Sequence, residues 1–169
     1  MADLLTHVLA AYILGTVLSW RLEWLTPPYV TVAMAGAIVP DLNRTELLVP
    51  GATFEAAFGL PFDWNAFHTF GGSLLVVLIG VLLVPAAHRR RVAVLSLLGV
   101  LSHLTLDLLL IQPTSQSYAV LWPLTEYRPP TVGLYRSTDQ WPAVIALVAA
   151  GVVTLETRRR NALDPTRTR

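Results

Sequence analysis

The stretch that decides the fold runs from residue 97 to residue 110 and reads LLGVLSHLTLDLLL. Its only polar residues are Ser102, His103, Thr105 and Asp107. Because His103 and Asp107 are four apart, a helix places them on one face, one turn from each other. A helix that is apolar on all sides is buried in protein or lies in a membrane. Ionisable side chains are costly there, so the pair predicts a functional site with further partners.

The composition is typical of a membrane protein. Of the 169 residues, 54% are hydrophobic and only 14% are charged, whereas a soluble domain has about 25% charged residues. Cysteine is absent, which excludes a disulfide framework and a thiolate metal site. The formal net charge of +1 gives no indication of a nucleic-acid partner. The partner that this composition predicts is the lipid bilayer.

Five apolar segments predict an all-α bundle of about five membrane spans. The third and fourth reach the roughly 20 apolar residues that a span needs, whereas the first and fifth are short and the second is shorter still. We interpret the second as a span whose polar end, around Pro40 and Asp41, lies against other protein, although the pattern leaves open whether it crosses fully. The segments cover residues 4–20, 29–40, 67–87, 92–112 and 141–155.

The segments predict one membrane-embedded domain, residues 1–157, followed by a polar and disordered cytoplasmic tail, residues 158–169. The first segment resembles a signal peptide only in its length. It has Asp3 and no basic residue before it, and no small-residue cleavage site follows Trp20. We therefore expect it to remain in the mature protein.

Two arginine clusters predict the orientation in the membrane. Residues 89–91 and 158–160 are all arginine, and the positive-inside rule places both clusters in the cytoplasm. The N-terminus and the connections 41–66 and 113–140 then lie outside, and the C-terminus lies inside.

Five candidate metal ligands, contributed by four segments, fall toward the outer side in this orientation. Since a helix rises about 1.5 Å per residue, His103 lies roughly 14 Å below the end of its predicted segment. We therefore expect a cleft that reaches into the bundle. The candidate ligands are His7, Asp41, His68, His103 and Asp107.

Neutral imidazoles and carboxylates bind zinc and similar divalent metals. A His/Asp set without cysteine suits a hydrolytic metal site, where the metal lowers the pKa of water and polarises a carbonyl or phosphoryl oxygen. We therefore predict a divalent metal, zinc, with manganese as the alternative. The other interpretation of His103 and Asp107 is a hydrogen-bonded pair that joins helices.

The remaining candidates also have structural interpretations. Asp41 and Asn43 can be turn residues at the end of a helix. His7 can be an interfacial residue, and His68 can pack beside neighbouring aromatic rings. His88 precedes the cytoplasmic arginine cluster, so it is excluded from the site.

Four short motifs, taken in order, carry a resemblance to a known family. Thr6-His7 opens an apolar helix, residues 36–43 read GAIVPDLN, residues 67–69 read FHT, and residues 102–107 read SHLTLD. Over roughly residues 1–125 this pattern resembles the membrane-bound metal-dependent hydrolase family, also called YdjM-like. That family is similar in turn to the zinc-dependent phospholipase C and P1 nuclease group. The resemblance implies metal ligands at His7, Asp41, His68, His103 and Asp107.

Two departures from the family pattern affect the predicted chemistry. The second acidic residue of the family's P-D-x-D motif is Asn43 here. The family's H-R-x-x-T-H-S stretch is reduced to HTFGGS at residues 68–73, so the second histidine, near residue 72, is missing. Fewer ligands imply weaker metal binding or fewer metals.

The outer connections supply further candidates without selecting among them. Asp63, Glu126, Tyr127 and Asp139 are candidates for a general base or a substrate contact. Arg128 and Arg136 can bind a phosphate head group through charge-assisted hydrogen bonds, or they can be solvated loop charges. The aromatic residues of 113–140 fit an interfacial belt.

Three functions are consistent with these patterns. The first is a divalent-metal-dependent hydrolase that acts on a phosphoester, on a lipid or on a lipid-linked substrate. The second is a non-catalytic membrane protein that keeps a degenerate His/Asp site to hold its helices together. The third is a divalent-cation transporter, against which stands the lack of polar residues in the inner halves of the segments.

Overall fold

A computed structural model of the chain describes residues 2–163 and shows an all-helical protein. Within these residues the backbone forms no β-strand, only two isolated bridges, Leu110 to Tyr135 and Gln116 to Pro130. The α-helices are α1 (Ala2–Ser19), α2 (Pro27–Ile38), α3 (Gly51–Phe58), α4 (Phe70–Leu82), α5 (Ala86–Asp107) and α6 (Trp141–Leu163). Two 3-10 helices, Val39–Leu47 and Trp64–His68, lie between them.

Helix α5 lies at the centre and packs most extensively against α2, while α1 packs between α2 and α6. The close approach of α2 and α5 depends on two glycines. A side-chain carbon added at Gly99 would collide with the backbone of α2 at Ala33, and one added at Gly36 would collide with the backbone of α5 at Ser96. Small residues on both helices therefore bring the two backbones into direct contact.

Two clusters of buried apolar residues fill the space around α5. The first joins Leu25, Val30, Ala33 and Leu95, between α2 and the first half of α5. The second joins the second half of α5 to α4 and the connection 113–140 through Val77, Val100, Leu104 and Val120. The side chains of the candidate site lie beyond this second cluster, toward the end of α5.

Aromatic and basic residues gather at the opposite end of the bundle. The Arg91 guanidinium lies 5.5 Å from the ring centroid of Trp24, and that of Arg160 lies 4.3 Å from the ring of Trp20. His88 is also at this end, where its Nδ1 lies 2.7 Å from the hydroxyl of Tyr29. Both predicted arginine clusters thus lie at one end of the molecule, and His88 is far from the candidate site.

The all-helical prediction is confirmed, but five complete spans are not established. At about 1.5 Å per residue, the 12-residue α2 and the 13-residue α4 are roughly 18 and 20 Å long, whereas a hydrocarbon core is about 30 Å thick. Among residues 2–163, α6 alone is both long and apolar enough to cross a membrane by length and composition. Leu4–Ser19 and Phe70–Leu82 are shorter apolar helices.

Several predicted boundaries are wrong. The third segment was expected to be helical over residues 67–87, but α4 starts only after the Thr69 side chain accepts a hydrogen bond from the Gly72 N–H, and it ends before Pro85. Helix α5 begins six residues before the predicted fourth segment and therefore includes the arginines at 89–91. Arginine is a good helix former, so its charge does not interrupt the helix.

The end of the chain and the connection 41–66 also differ from expectation. Helix α6 continues to Leu163, so residues 158–163 of the predicted disordered tail are helical, and the rest of the tail lies outside the described residues. The connection 41–66 contains most of the Val39–Leu47 3-10 helix and all of α3. The expectation that the polar end of the second segment lies against protein is confirmed, because Pro40 and Asp41 are buried.

Candidate metal centre

The structure brings all five predicted ligand residues together at one end of the bundle. His7 comes from the first turns of α1, Asp41 from the first turn of the Val39–Leu47 3-10 helix, and His68 from the residue that ends the Trp64–His68 3-10 helix. His103 and Asp107 lie in the last two turns of α5. Four separate elements therefore contribute to a single cluster.

Helix α5 ends at Asp107, not at the predicted residue 112, and this changes the expected depth of the site. His103 is four residues from the helix end, which is about 6 Å along the axis and not 14 Å. It is nevertheless fully buried, as is His7. The site is therefore a covered cluster under the connections at the end of the bundle, not a deep channel along α5.

Asp107 is the centre of this cluster. Its Oδ2 lies 2.6 Å from Nε2 of His68 and 3.4 Å from Nε2 of His103, and its Oδ1 lies 3.2 Å from Nε2 of His7. The Tyr118 hydroxyl donates a hydrogen bond of 3.1 Å to the same Oδ2. One carboxylate, only 3% exposed, thus faces three imidazoles and a phenol.

The rings of the three histidines are held against one another. His7 and His103 stack with their ring centroids 3.8 Å apart, and the His68 ring meets that of His103 edge-on at 5.2 Å. This packing fixes the ring planes before any ligand binds. A preformed arrangement of this kind costs little reorganisation when a metal enters.

Two backbone carbonyls, one at the end of α2 and one at the start of the Val39–Leu47 3-10 helix, set which ring nitrogen of two histidines carries the proton. Nδ1 of His103 lies 2.7 Å from the carbonyl oxygen of Ala37, and Nδ1 of His68 lies 3.1 Å from that of Pro40. A carbonyl oxygen only accepts hydrogen bonds, so each Nδ1 must be the donor. The Nε2 atoms are then left to bind a cation, as in histidine metal ligands oriented by a carbonyl.

Two distances in the cluster fit a metal, whereas the 2.6 Å between Nε2 of His68 and Oδ2 of Asp107 is that of a charge-assisted hydrogen bond. In a tetrahedral zinc site with bonds of about 2.0 to 2.1 Å, neighbouring ligand atoms lie roughly 3.3 Å apart. The separations of 3.2 Å and 3.4 Å from the Asp107 carboxylate to His7 and His103 match this value. Two sets of three ligand atoms lie within 4.8 Å of one another: His7, His103 and Asp107, and Asp41, His68 and His103.

Buried acceptors without hydrogen bonds point to the same chemistry. Among the described residues, no hydrogen-bond partner is present for Oδ2 of Asp41, Oδ1 of Asp107 or Nε2 of His103. Leaving such groups unsatisfied in the interior costs about 1 to 3 kcal/mol each, and more when they are charged. A divalent cation would satisfy all three atoms, so the donor set fits a hard or borderline metal.

His68 lies in the 3-10 helix before α4, outside the long helices. Burial works against its charged form, but the hydrogen bond to Asp107 and the negative charges of Asp107 and Asp41 outweigh that effect and raise the pKa of His68 above its ordinary value of 6.5. A metal that binds Nε2 of His68 must therefore displace the proton that this nitrogen shares with the Asp107 carboxylate.

A partly open cleft of about 270 Å³ leads from the cluster to the surface. Five of its lining residues were missed by sequence analysis, because they lie in connections with no periodic pattern or, like Leu110 and Gln112, were assigned to the end of a span. Arg44 is the exception that a local rule would have found, since it lies three residues after Asp41 on a helical turn. The lining comprises Asp41, Asn43, Arg44, Asn65, His68, Asp107, Leu110, Gln112 and Tyr118.

The loop residues proposed as bases or substrate contacts do not line this cleft. Asp63 caps the 3-10 helix by accepting from the backbone N–H of Asn65, and Asp139 accepts from the backbone N–H of Arg136. Glu126, Tyr127 and Arg128 are exposed. Their polarity reflects turn formation and solvent exposure.

The two departures from the family pattern have clear structural counterparts. Asn43 lines the cleft, and its buried Oδ1 has no hydrogen-bond partner within residues 2–163, so it offers a neutral oxygen where the family has a carboxylate. Gly72 packs directly on the carbonyl of Ala66, and the hydroxyl of Ser73 donates to the carbonyl of Phe67. The stretch that lacks the second histidine thus packs against backbone carbonyls.

Fold and site together define a class: an all-helical protein with a buried His/Asp cluster at one end of the bundle. The sequence comparison identifies the family within that class. The model of the YdjM inner membrane protein family matches residues 1–165, and the chain belongs to this family. It is therefore a membrane protein, and the match extends 40 residues beyond the predicted 1–125.

No curated protein and no solved structure matches the chain. The similarity to the zinc-dependent phospholipase C and P1 nuclease group therefore remains a prediction.

Proposed function

We propose that the chain is a multi-pass inner membrane protein that binds zinc or manganese and hydrolyses a phosphoester. The observation that carries this proposal is the convergence of three imidazole Nε2 atoms on the Asp107 carboxylate, at 2.6, 3.2 and 3.4 Å. The proposed ligands are His7, Asp41, His68, His103 and Asp107. A divalent metal in such a site supplies an acidified water and polarises a phosphoryl oxygen.

The protein residues have separate roles in this proposal. The carbonyls of Ala37 and Pro40 keep Nε2 of His103 and His68 directed at Asp107. Tyr118 holds one Asp107 oxygen in place through its hydroxyl. The buried rings of His7 and His103 exclude water from the inner side, so the open cleft is the route by which a substrate enters.

A lipid or lipid-linked substrate is supported by the segment between Arg44 and Asn65, both of which line the cleft. This segment carries large apolar side chains that are highly exposed, a feature of membrane-binding surfaces. A hydrogen bond of 2.8 Å from the Trp64 indole to the carbonyl of Val49 holds the two ends of this segment together. The exposed side chains are Leu47 (86%), Leu48 (84%), Phe58 (69%) and Leu60 (67%).

The proposed orientation follows from the arginine-rich end of the bundle. With residues 89–91 and 158–160 in the cytoplasm, the cleft faces outward, near the membrane surface. The N-terminus then lies outside and the C-terminus inside. The exposed apolar side chains described above lie within residues 47–60, here called the exposed segment 47–60. In this orientation that segment lies at the outer leaflet, where lipid head groups reach the cleft from the side.

A second candidate function is a non-catalytic membrane protein in which the cluster joins helices. The observation that favours it is the lining of the cleft. Within residues 2–163, the lining outside the proposed ligands contains no histidine or carboxylate to act as a general base. Asn43 in place of an acidic residue also reduces the charge available to a metal.

An activity assay separates these two functions. The full chain in detergent, with its metal, is assayed on a chromogenic phosphate monoester and on short-chain phospholipids. The comparison includes the His103→Ala/Asp107→Ala double variant and His88→Ala, a matched histidine change at the opposite end of the bundle. We expect the parent and His88→Ala to hydrolyse the substrate and the double variant to be inactive. We expect chelation to abolish hydrolysis by the parent, and restored metal to recover it.

Metal bound tightly by the parent, without hydrolysis of any substrate, would support the non-catalytic alternative. Flux of metal into vesicles that contain the parent but not the double variant would support a transporter. The second apolar cluster around Val100 and Leu104 closes the route along α5 below the site, so we expect no flux.

A further inference from the structure

The cleft beside the cluster contains polar groups that the metal site does not use. Arg44, Asn65 and Gln112 come from three different connecting segments and line the same cavity. None of them is a proposed metal ligand, and only Leu110 adds an aliphatic side chain to the lining. The polar side chains of this lining offer hydrogen bonds to a charged group.

Arg44 is only partly engaged by the protein. Its Nε donates a hydrogen bond of 2.8 Å to Oδ1 of Asp41, and neither Nη nitrogen has a hydrogen-bond partner among the described residues. The guanidinium therefore keeps most of its N–H donors available, and it is anchored at a fixed distance from the ligand cluster. A planar fork of such donors matches the oxygens of a phosphate.

Gln112 and Asn65 extend this set of donors. The Gln112 side-chain amide is half-buried and has no hydrogen-bond partner within residues 2–163. The Asn65 amide nitrogen donates to Asp63, at 3.0 Å, which leaves its second N–H available. A partly buried amide without a partner, such as that of Gln112, favours a ligand that hydrogen-bonds to it.

The charges of the cleft also favour an anion. Its two carboxylates are both committed, Asp41 to Arg44 and Asp107 to the histidines. The described lining carries no further acidic residue. With a divalent cation bound, the two negative charges face three positive ones, so a net positive charge remains for an anionic ligand.

The size of the cleft limits what enters it. Pockets for drug-sized ligands have volumes of about 300 to 1,000 Å³, and this cleft is smaller, at about 270 Å³. A phosphate with a short substituent is therefore accommodated, while longer parts of a substrate must remain outside.

We propose that Arg44 and Gln112 form a phosphate-binding subsite, which recognises a terminal phosphate group next to the ligand cluster. This inference deepens the proposed function and rests on it, because the bound metal supplies part of the positive charge. The phosphate belongs either to a lipid head group or to a soluble phosphomonoester, since both present the same oxygens.

The test measures binding of inorganic phosphate, and of a short-chain phosphatidic acid below its micelle concentration, to the metal-loaded full chain by calorimetry. The variants are Arg44→Gln, Arg44→Lys and Gln112→Leu, with Arg128→Gln as the matched arginine change outside the cleft. Metal content is measured on each sample. We expect Arg44→Gln to weaken phosphate binding about tenfold or more, and Gln112→Leu to weaken it several-fold. We expect Arg44→Lys to be intermediate and Arg128→Gln to match the parent.

The phosphate affinity of Arg44→Gln and the metal content of the parent decide between the possible results. Unchanged phosphate affinity in Arg44→Gln, with metal still bound, would overturn the subsite and leave the metal centre standing. A parent chain that holds no metal would overturn the proposed function and, with it, this inference. If the subsite is present, tighter binding of phosphatidic acid than of inorganic phosphate identifies a lipid source, and equal binding identifies a soluble phosphoester.

Discussion

His68 Nε2 lies 2.6 Å from Asp107 Oδ2, while the Nδ1 of the same ring is held by the carbonyl of Pro40. Because the Pro40 carbonyl only accepts hydrogen bonds, Nδ1 of His68 carries a proton. Nε2 of the same ring faces the Asp107 carboxylate, so it must carry either a second proton or a metal. The same relationship therefore describes two states of the site. In the metal-free state His68 is an imidazolium below its raised pKa, and a bound metal would release that proton.

This relationship predicts that metal affinity falls as the pH is lowered through the raised pKa of His68. Because binding displaces one proton from His68, we expect the dissociation constant to increase about tenfold per pH unit below that pKa. Competition with a chelator of known affinity, repeated across the acidic range, measures the slope. The variant His68→Gln has no proton to displace there, and a slope that persists unchanged in it would contradict this assignment.

The stability of the metal-free protein is expected to have the opposite pH dependence. A folded pKa raised above 6.5 means that the His68–Asp107 contact stabilises the fold fully below about pH 6.5. That contribution is lost as the pH rises through the folded pKa. Thermal unfolding in detergent, with chelator present, is the measurement, and a parent that becomes relatively more stable than His68→Gln on raising the pH would contradict it.

Tyr118→Phe is expected to weaken metal binding without abolishing it. The substitution removes the hydroxyl that donates to Oδ2 of Asp107 and keeps the ring, which packs edge-on against His68. Loss of an outer hydrogen bond of this kind costs about 10- to 100-fold in metal affinity. The control is Tyr127→Phe, which removes the hydroxyl of an exposed tyrosine. Equal affinities for the two variants would show that Tyr118 does not orient the carboxylate.

Gly99→Ala is expected to destabilise the fold and disturb the site together. The added methyl group would meet the backbone of α2 at Ala33 and at Ala37, the residue whose carbonyl orients His103. Overpacking of this kind costs about 1 to 3 kcal/mol. Gly151→Ala in α6 is the matched control, because nothing lies near its added carbon, and there alanine is expected to stabilise the helix by about 0.5 to 1 kcal/mol. Thermal unfolding and metal content are measured together. Equal effects of the two substitutions would contradict the close packing of α2 on α5.

The exposed segment 47–60 is expected to lie in the lipid interface. The chain has no cysteine, so single cysteines at Leu47, Phe58 and Leu60 can each be labelled with a polarity-sensitive fluorophore. In nanodiscs we expect a blue-shifted emission at these three positions, and a water-like emission at a Ser137→Cys control in the other connection. Water-like emission at all three apolar positions would place the segment outside the bilayer, and disulfide-linked dimers would indicate a second copy as its partner.

The sequence predicted the convergence of the five candidate ligands better than it predicted the lengths of the helices. Arginine placement and motif order were enough to predict that the candidate ligands lie at one end of the bundle. Both depend on the direction in which each segment runs and not on its length. The candidate ligands are His7, Asp41, His68, His103 and Asp107. Helix lengths depend on local turn chemistry instead. The cap at Thr69 and the turn before Pro85 shorten α4, and hydropathy alone does not detect either of them.

The other side chains that line the cleft could not be predicted from the sequence, for a different reason. Tyr118 reaches the cluster because the connection 113–140 folds back over α5, with the backbone N–H of Phe70 donating to the carbonyl of Val120. Contacts between residues far apart in an irregular segment leave no periodic pattern. The apolar helix α3 was missed because its eight residues bury no side chain and so show no amphipathic pattern.

The metal content of the purified protein tests the central claim most directly. Elemental mass spectrometry is applied to the parent, to the His103→Ala/Asp107→Ala double variant and to His88→Ala. We predict near-stoichiometric zinc or manganese in the parent and in His88→Ala, and its loss from the double variant. No metal in the parent, together with no change in its thermal stability when zinc or manganese is added, would contradict the account and leave the cluster as a hydrogen-bonded pair that joins helices.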